Sequence, residues 1–342
     1  MRNLPKLKLP VLVLALIAFL AIPAAANATL TFTKGNTKPK VYIAENNGKG
    51  AKSIGAGRNS RISPDGETVI YERETNQGSE MRLYSVAAKK SQRMLNPWTE
   101  SFVFGWSPDS TKIAALTGPL NGAQTLLVID TTTMKRTKIA TGYFNGVSFS
   151  PTSEEIVYGV APTFAYPPKS TLYREGIDGT GKVALSHDNI SAYPLWGPKG
   201  QIVFARQLGA KTRKYGPANQ LFVMNEDGEQ ISQVTHTKVN ALAQGLVPVA
   251  FSANGARLLT EFGGQDQGYG VAVSLVTGGE KKLTDDPETG FQGSALTADG
   301  STILGTTGLG FGPSHPKIVT MPWGGGPEKL LVANAYFPSW SE

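Results

Sequence analysis

Trp106-Ser107-Pro108-Asp109-Ser110 and its near-copy Ile62-Ser63-Pro64-Asp65-Gly66 decide how this chain folds. Each is an apolar residue, a small residue, Pro and then a tight turn, with an apolar run close behind. The pattern returns as Phe149-Ser150-Pro151, Trp196-Gly197-Pro198, Phe251-Ser252-Ala253 and Leu296-Thr297-Ala298. Measured between the Pro or Ala positions, the intervals are 44, 43, 47, 55 and 45 residues. Self-similarity at that period signals stacked or circular repeats sharing one continuous core.

Around each marker the sequence reads as four short strands. The first ends at the marker, as Phe104–Trp106 does. A turn follows in which Asp bonds its own backbone and Gly takes positive φ. The second strand is aliphatic: Val69-Ile70-Tyr71, Ile113-Ala114-Ala115, Ile156-Val157-Tyr158, Ile202-Val203-Phe204, Leu258-Leu259 and Ile303-Leu304. A variable loop leads to a third strand, such as Leu221-Phe222-Val223-Met224, and a polar hairpin leads to a fourth. Short β-branched and aromatic runs bounded by Gly, Pro, Asn and Asp are strands, and no long 3.6-residue periodicity competes with them. Four antiparallel strands per unit of about 45 residues is the layout of a propeller blade. The expected fold is all-β: a single β-propeller of four-stranded antiparallel blades, seven favoured over six.

The seventh blade is divided between the chain ends. Leu30–Phe32, Val41–Ala44 and Ala51–Ile54 supply three strands. The missing first strand is expected in Phe337-Pro338-Ser339-Trp340-Ser341-Glu342, which aligns with Tyr193-Pro194-Leu195-Trp196-Gly197-Pro198. The C-terminal strand then joins the N-terminal blade and closes the ring, removing edges open to other chains. Trp106, Trp196 and Trp340 share one repeat position and are expected as core between blades.

Arg2, Lys6 and Lys8 precede an apolar run from Val11 to Ile22, followed by Ala26-Asn27-Ala28. This is the pattern of a secretory signal peptide over 1–28, with the propeller occupying 29–342. A run of about 12 apolar residues is too short to span a bilayer. Periplasm or secretion is expected, without a membrane span after cleavage. The formal charge is +7 over 342 residues, three of the positive charges lie in the leader, and no basic stripe marks a nucleic-acid binder. The chain has no cysteine, which excludes disulfides and thiolate chemistry.

The Trp-Ser-Pro-Asp-Ser and Ser-Pro-Asp-Gly motifs, together with Leu221-Phe222-Val223-Met224-Asn225-Glu226-Asp227-Gly228, resemble the WD40-like (PD40) repeats of TolB-type β-propellers. The resemblance covers the mature chain. It does not extend to TolB itself, which carries an additional amino-terminal α/β domain before six blades. The superfamily includes envelope components, propellers attached to peptidases and stand-alone propellers.

No Gly-x-Ser-x-Gly elbow and no phosphate-binding Gly loop is present. The expectation is therefore an exported non-catalytic scaffold, a monomeric ring that binds an envelope or extracellular protein, peptide or glycan through its loop face, without a cofactor. Elaborated loops on a rigid scaffold commonly carry binding. The candidate contacts are Phe164, Tyr166, Lys211, Arg213, Lys214, Tyr215, Tyr269 and Phe311. The alternative is a propeller enzyme acting on glycans, either a metal-dependent lyase or a hydrolase. Some seven-bladed sugar-acid lyases with a histidine-bound metal resemble this layout, which makes His187, His236 and His315 the weak metal candidates.

Overall fold

The computed structural model describes residues 29–76, 78–95, 100–119, 122–164, 170–209, 218–238, 244–264, 268–284, 290–309 and 315–341. Every regular element among them is a β-strand. The strands run in antiparallel sets of four. Arg58–Ile62, Thr68–Thr75, Gly78–Ser85 and Lys90–Arg93 pair in that order, and so do Phe291–Leu296, Thr302–Thr307, Lys317–Pro322 and Lys329–Ala333. Two sheets are larger because neighbouring sets are joined. The 14-residue strand Arg136–Phe149 pairs with Gln124–Asp130 through its first half and with Glu155–Ala161 through its second. A single parallel pairing, Asn219 with Gly245, links two further sets. None of the described sheets closes on itself.

The aliphatic second strands bury both faces, which is why they read as unbroken apolar runs. Ile113 and Ala115 pack with Ile70, Met81, Leu83 and Met94 of the preceding set. Ala114 and Leu116, pointing the other way, pack with Phe149, Ile156 and Tyr158 of the following set. Val203 and Ala205 likewise face Leu246 and Leu258, while Ile202 and Phe204 face Val157 and Leu172. Each core cluster thus lies between consecutive sets, and no set holds a core alone.

The marker turns are built on side-chain hydrogen bonds. Ser63, Ser107, Ser150, Ser252 and Thr297 each accept a hydrogen bond at the hydroxyl from the backbone N–H five residues on, at 2.9–3.1 Å. Asp65, Asp109 and Asp299 accept from the N–H two residues on, at 2.8–3.0 Å, as Asn254 does. The recurrent Ser-Pro-Asp is therefore a turn that folds its own polar groups inward. Consecutive turns are also tied together: Asp65 N–H donates to Ser110 Oγ and Asp109 N–H to Ser153 Oγ.

The chain ends meet as their sequences suggest. Tyr336–Trp340 pairs antiparallel with Thr29–Lys34, placing Trp340 opposite Leu30 and Ser339 opposite Thr31. Thr29 N–H donates to Ser341 Oγ at 3.1 Å, and Ser341 N–H returns a bond to the Thr29 carbonyl at 2.9 Å. Ser339 Oγ accepts from Ile62 N–H at 3.2 Å, the same link that Ser148 Oγ makes to Trp196 N–H. Leu30, Phe32 and Ala44 share a core with Leu304, Ile318 and Val332 of the last set, and Val41 packs with Ile62, Val69 and Tyr71.

Two measurements check this account. Deleting residues 336–341 bares the strand edge of Thr29–Lys34 and the buried Leu30 and Phe32. The expected result is a large loss of melting temperature with concentration-dependent aggregation by light scattering. Ser107→Ala removes the acceptor for Lys112 N–H and a bond to Asp109. Urea titration is expected to show destabilisation of about 1–2 kcal/mol.

Candidate functional site

The first strand of each set pairs irregularly with its second strand. Register shifts fall between Arg58 and Arg61, Val103 and Gly105, Phe144 and Val147, Ala192 and Leu195, Pro248 and Ala250, and Gly293 and Ala295, and opposite Thr31–Thr33 in the strand 336–340. Bulges of this kind bend a strand and re-aim its side chains. First strands from five sets converge on one cavity of about 470 Å³, where Asn59, Arg61, Val103, Val249, Ser294 and Phe337 are among the lining residues. The cavity is thus walled by first strands that lie far apart in the sequence.

Its charged lining residues are Arg61 and Glu72. The Arg61 carbonyl accepts a hydrogen bond from Trp106 Nε1 at 3.2 Å, which fixes the backbone beneath the guanidinium. The Arg61 side chain reaches water although protein surrounds it densely. This crowding lowers its pKa, and Glu72 partly opposes the shift. A guanidinium stays charged under such a perturbation. Glu72 Oε2 accepts from Asn59 Nδ2 at 2.9 Å and lies 3.8 Å from Arg58 Nε. Burial raises the Glu72 pKa above the ordinary carboxylate value, while Asn59, Arg58 and Arg61 act in the opposite direction.

Glu261 does not line the cavity but bonds to Gly293, which does. Its Oε1 accepts from Gly293 N–H, on the bulged first strand, at 2.6 Å. Burial pushes its pKa up to about 8, against the lowering effect of the Gly293 hydrogen bond, and so favours the protonated form. Glu72 and Glu261 occupy one repeat position, three residues past Val69 and Leu258, which pair with Ile62 and Phe251. By the same register that position holds Thr33, Leu116, Gly159, Ala205 and Thr306 elsewhere. A carboxylate ending an aliphatic run was therefore a signal present in the sequence. So was Arg61, a charge in a place otherwise filled by Gly105, Ser148, Leu195, Ala250, Ala295 and Ser339. Each of the three is single, and no local pattern surrounds it.

Of the residues expected from sequence, the described ones, Phe164, Tyr269, His187, His236 and His315, are not among those lining this cavity. Tyr166, Lys211, Arg213, Lys214, Tyr215 and Phe311 lie outside the described residues. Phe164 is 81% exposed, with its ring 6.1 Å from that of Tyr143. Tyr269 is within the strand Gly268–Ser274 rather than a loop, stacked on Phe262 at 4.6 Å with Lys282 Nζ 4.3 Å from its ring. His187, His236 and His315 are all exposed. Among the described residues no group of three or more His, Cys, Asp or Glu side chains is placed to hold a metal, so a three-histidine centre does not fit. Trp196 is buried in the core, while Trp106 and Trp340 pack partly buried against it and Trp340 also borders the cavity. No described helix is long and apolar enough to cross a membrane.

No protein-family model matches the sequence, and no curated protein matches it. Solved structures match along nearly its whole length. TolB from Acinetobacter baumannii aligns with a TM-score of 0.56 and 12% identity, over 92% of this chain and 83% of that one. The β-propeller domain of the Trilobed protease from Pyrococcus furiosus gives 0.61 and 14%, over 90% and 93%. An oligogalacturonate lyase in complex with manganese gives 0.59 and 14%, over 91% and 86%. At these identities the likeness is one of fold alone, the β-propeller fold that these proteins share.

The expectation of a non-catalytic scaffold requires correction. It drew its weight from missing catalytic motifs, yet the fold is shared with a lyase over almost the whole of both chains. Groups set around a propeller axis come from separate sets and leave no contiguous motif, so a motif search cannot exclude catalysis.

The proton on Glu261 is testable. Its folded pKa is raised above the unfolded value of 4.5. Its contribution is therefore full below about pH 4.5 and lost as pH rises through about 8. Melting temperatures across that window are expected to fall less steeply for Glu261→Gln than for the unaltered protein, with the variant gaining most above pH 8. Parallel curves would show that the carboxyl is already ionised.

Proposed function

We propose that the chain is an exported seven-bladed propeller, closed where its C-terminal strand joins the N-terminal blade, that acts on an acidic saccharide in its axial cavity. The observation that carries this reading is the placement of Arg61 and Glu72 in one cavity on bulged first and second strands. The set order and the shared core of the two chain ends support the blade count and closure. The leader pattern in residues 1–28 supports export. The repeats belong with the WD40-like motifs of such propellers.

The chemistry follows from the two groups. A guanidinium matches a sugar carboxylate in a two-point contact. Neutralising that carboxylate makes the adjacent C–H more acidic. Glu72, with its pKa raised, is the group in the cavity suited to take the proton. The C–H electron pair then forms a C=C bond as the neighbouring C–O bond breaks, and the departing glycosidic oxygen takes up a proton from solvent water. The fold shared with an oligogalacturonate lyase is consistent with a uronate as the sugar class.

Calorimetric titration with a galacturonate trisaccharide tests binding, and ultraviolet absorbance of the unsaturated product tests turnover. Arg61→Met is expected to weaken binding about 10- to 150-fold, the worth of a hydrogen bond to a charged group. Glu72→Gln is expected to retain binding and lose turnover. Failure of the unaltered protein to bind any uronate oligosaccharide would refute the reading.

A further inference from the structure

At the bulge of the C-terminal strand, Phe337 has φ of 53°. Asn59 and Tyr193 occupy the equivalent bulge position on other first strands, with φ of 53° and 54°. Asn takes this left-handed conformation readily, whereas a bulky aromatic does so only when its surroundings hold it there. For Tyr193 the surroundings are evident. Its ring packs partly buried against the core around Val203 and Leu246, and its hydroxyl accepts from Gln244 Nε2 at 3.1 Å. Phe337 joins none of the core clusters among the described residues. It is 43% exposed and lines the cavity.

One neighbour holds it. Tyr336 presents its ring to Phe337 edge-on, 5.0 Å between centroids and 77° between planes, and the Tyr336 hydroxyl donates to the Gly35 carbonyl at 2.8 Å. The Phe337 ring is thus braced by an anchored tyrosine but left open in the cavity that also holds Arg61, Glu72 and Asn59. Both left-handed backbone and an uncovered aromatic cost stability, and strain of this kind collects where a ligand is held. An open, rigid apolar ring beside convergent polar groups is the usual makeup of a small-molecule site.

We propose that Phe337 is the stacking platform for a pyranose ring whose carboxylate is held by Arg61, making it a specificity-determining residue for saccharide over small anion. This inference rests on the acidic-saccharide reading given above. The apolar C–H face of the sugar would lie on the exposed ring while its carboxylate and hydroxyls face Arg61, Asn59 and Glu72.

The test uses two variants that suit the backbone and remove the ring. Phe337→Gly and Phe337→Asn both tolerate positive φ, so neither is expected to melt below the unaltered protein. Each is expected to bind a galacturonate trisaccharide about three- to tenfold more weakly, with acetate binding unchanged. Phe337→Trp should retain the trisaccharide affinity. Unchanged trisaccharide affinity in Phe337→Asn, with affinity lost in Arg61→Met, would overturn the platform and leave the acidic-saccharide reading standing. Equal weakening of acetate and trisaccharide would also overturn it, because the ring would then only shape the cavity. No binding of the trisaccharide by the unaltered protein would overturn both.

Discussion

The pairing of Tyr336–Trp340 with Thr29–Lys34 is the interaction on which the rest depends. Each four-stranded set has two apolar faces and can bury neither by itself. Interior sets have neighbours on both sides through the order of the chain. The sets at the chain ends acquire theirs only because residues more than 300 positions apart share a sheet. That pairing brings Leu30 and Phe32 against Leu304 and Ile318, and Val41 against Ile62 and Val69. It also brings Ser339, Trp340 and Phe337 to the wall of the cavity that contains Arg61. Core and candidate site therefore share one long-range constraint.

The repeat is kept regular by polar bonds at its rim. A hydroxyl just before the Pro or Ala position and a carboxylate just after it satisfy the backbone N–H groups that the turn would otherwise leave open. Exposed Asp299 shows the electrostatic consequence. Hydrogen bonds from Thr297 and Ser301 hold its carboxyl down at about 2. Asp109 and Asp130 are lowered as well, Asp130 by the backbone and hydroxyl of Thr133. These turns hold charge on oxygen at the rim, whereas burial at Glu261 favours the proton. The two environments push carboxyl groups in opposite directions within one repeat.

The region around the cavity departs from the repeat where chemistry could be placed. Equivalent positions that elsewhere hold Leu, Gly, Ala or Thr hold Glu72 and Glu261, and a place otherwise small or apolar holds Arg61. Consistency across the repeat gives the fold, and its local violations mark candidates for function. The fold itself is used by TolB and by an oligogalacturonate lyase, so only such departures can separate the roles open to this chain.

The strands, their order and the joining of the ends were legible in the sequence. The Ser-Pro-Asp markers fix the turns, and second strands such as Ile202–Phe204, apolar at every position, announce burial on both faces. These signals are local or periodic, so a single chain displays them. The cavity was not legible. Arg61, Glu72 and Phe337 are isolated residues drawn from the two ends of the chain, the first and last on bulged first strands and Glu72 on a second strand, and they line one shared space. Sequence spacing carries no record of that convergence, since it arises only when distant strands are packed together.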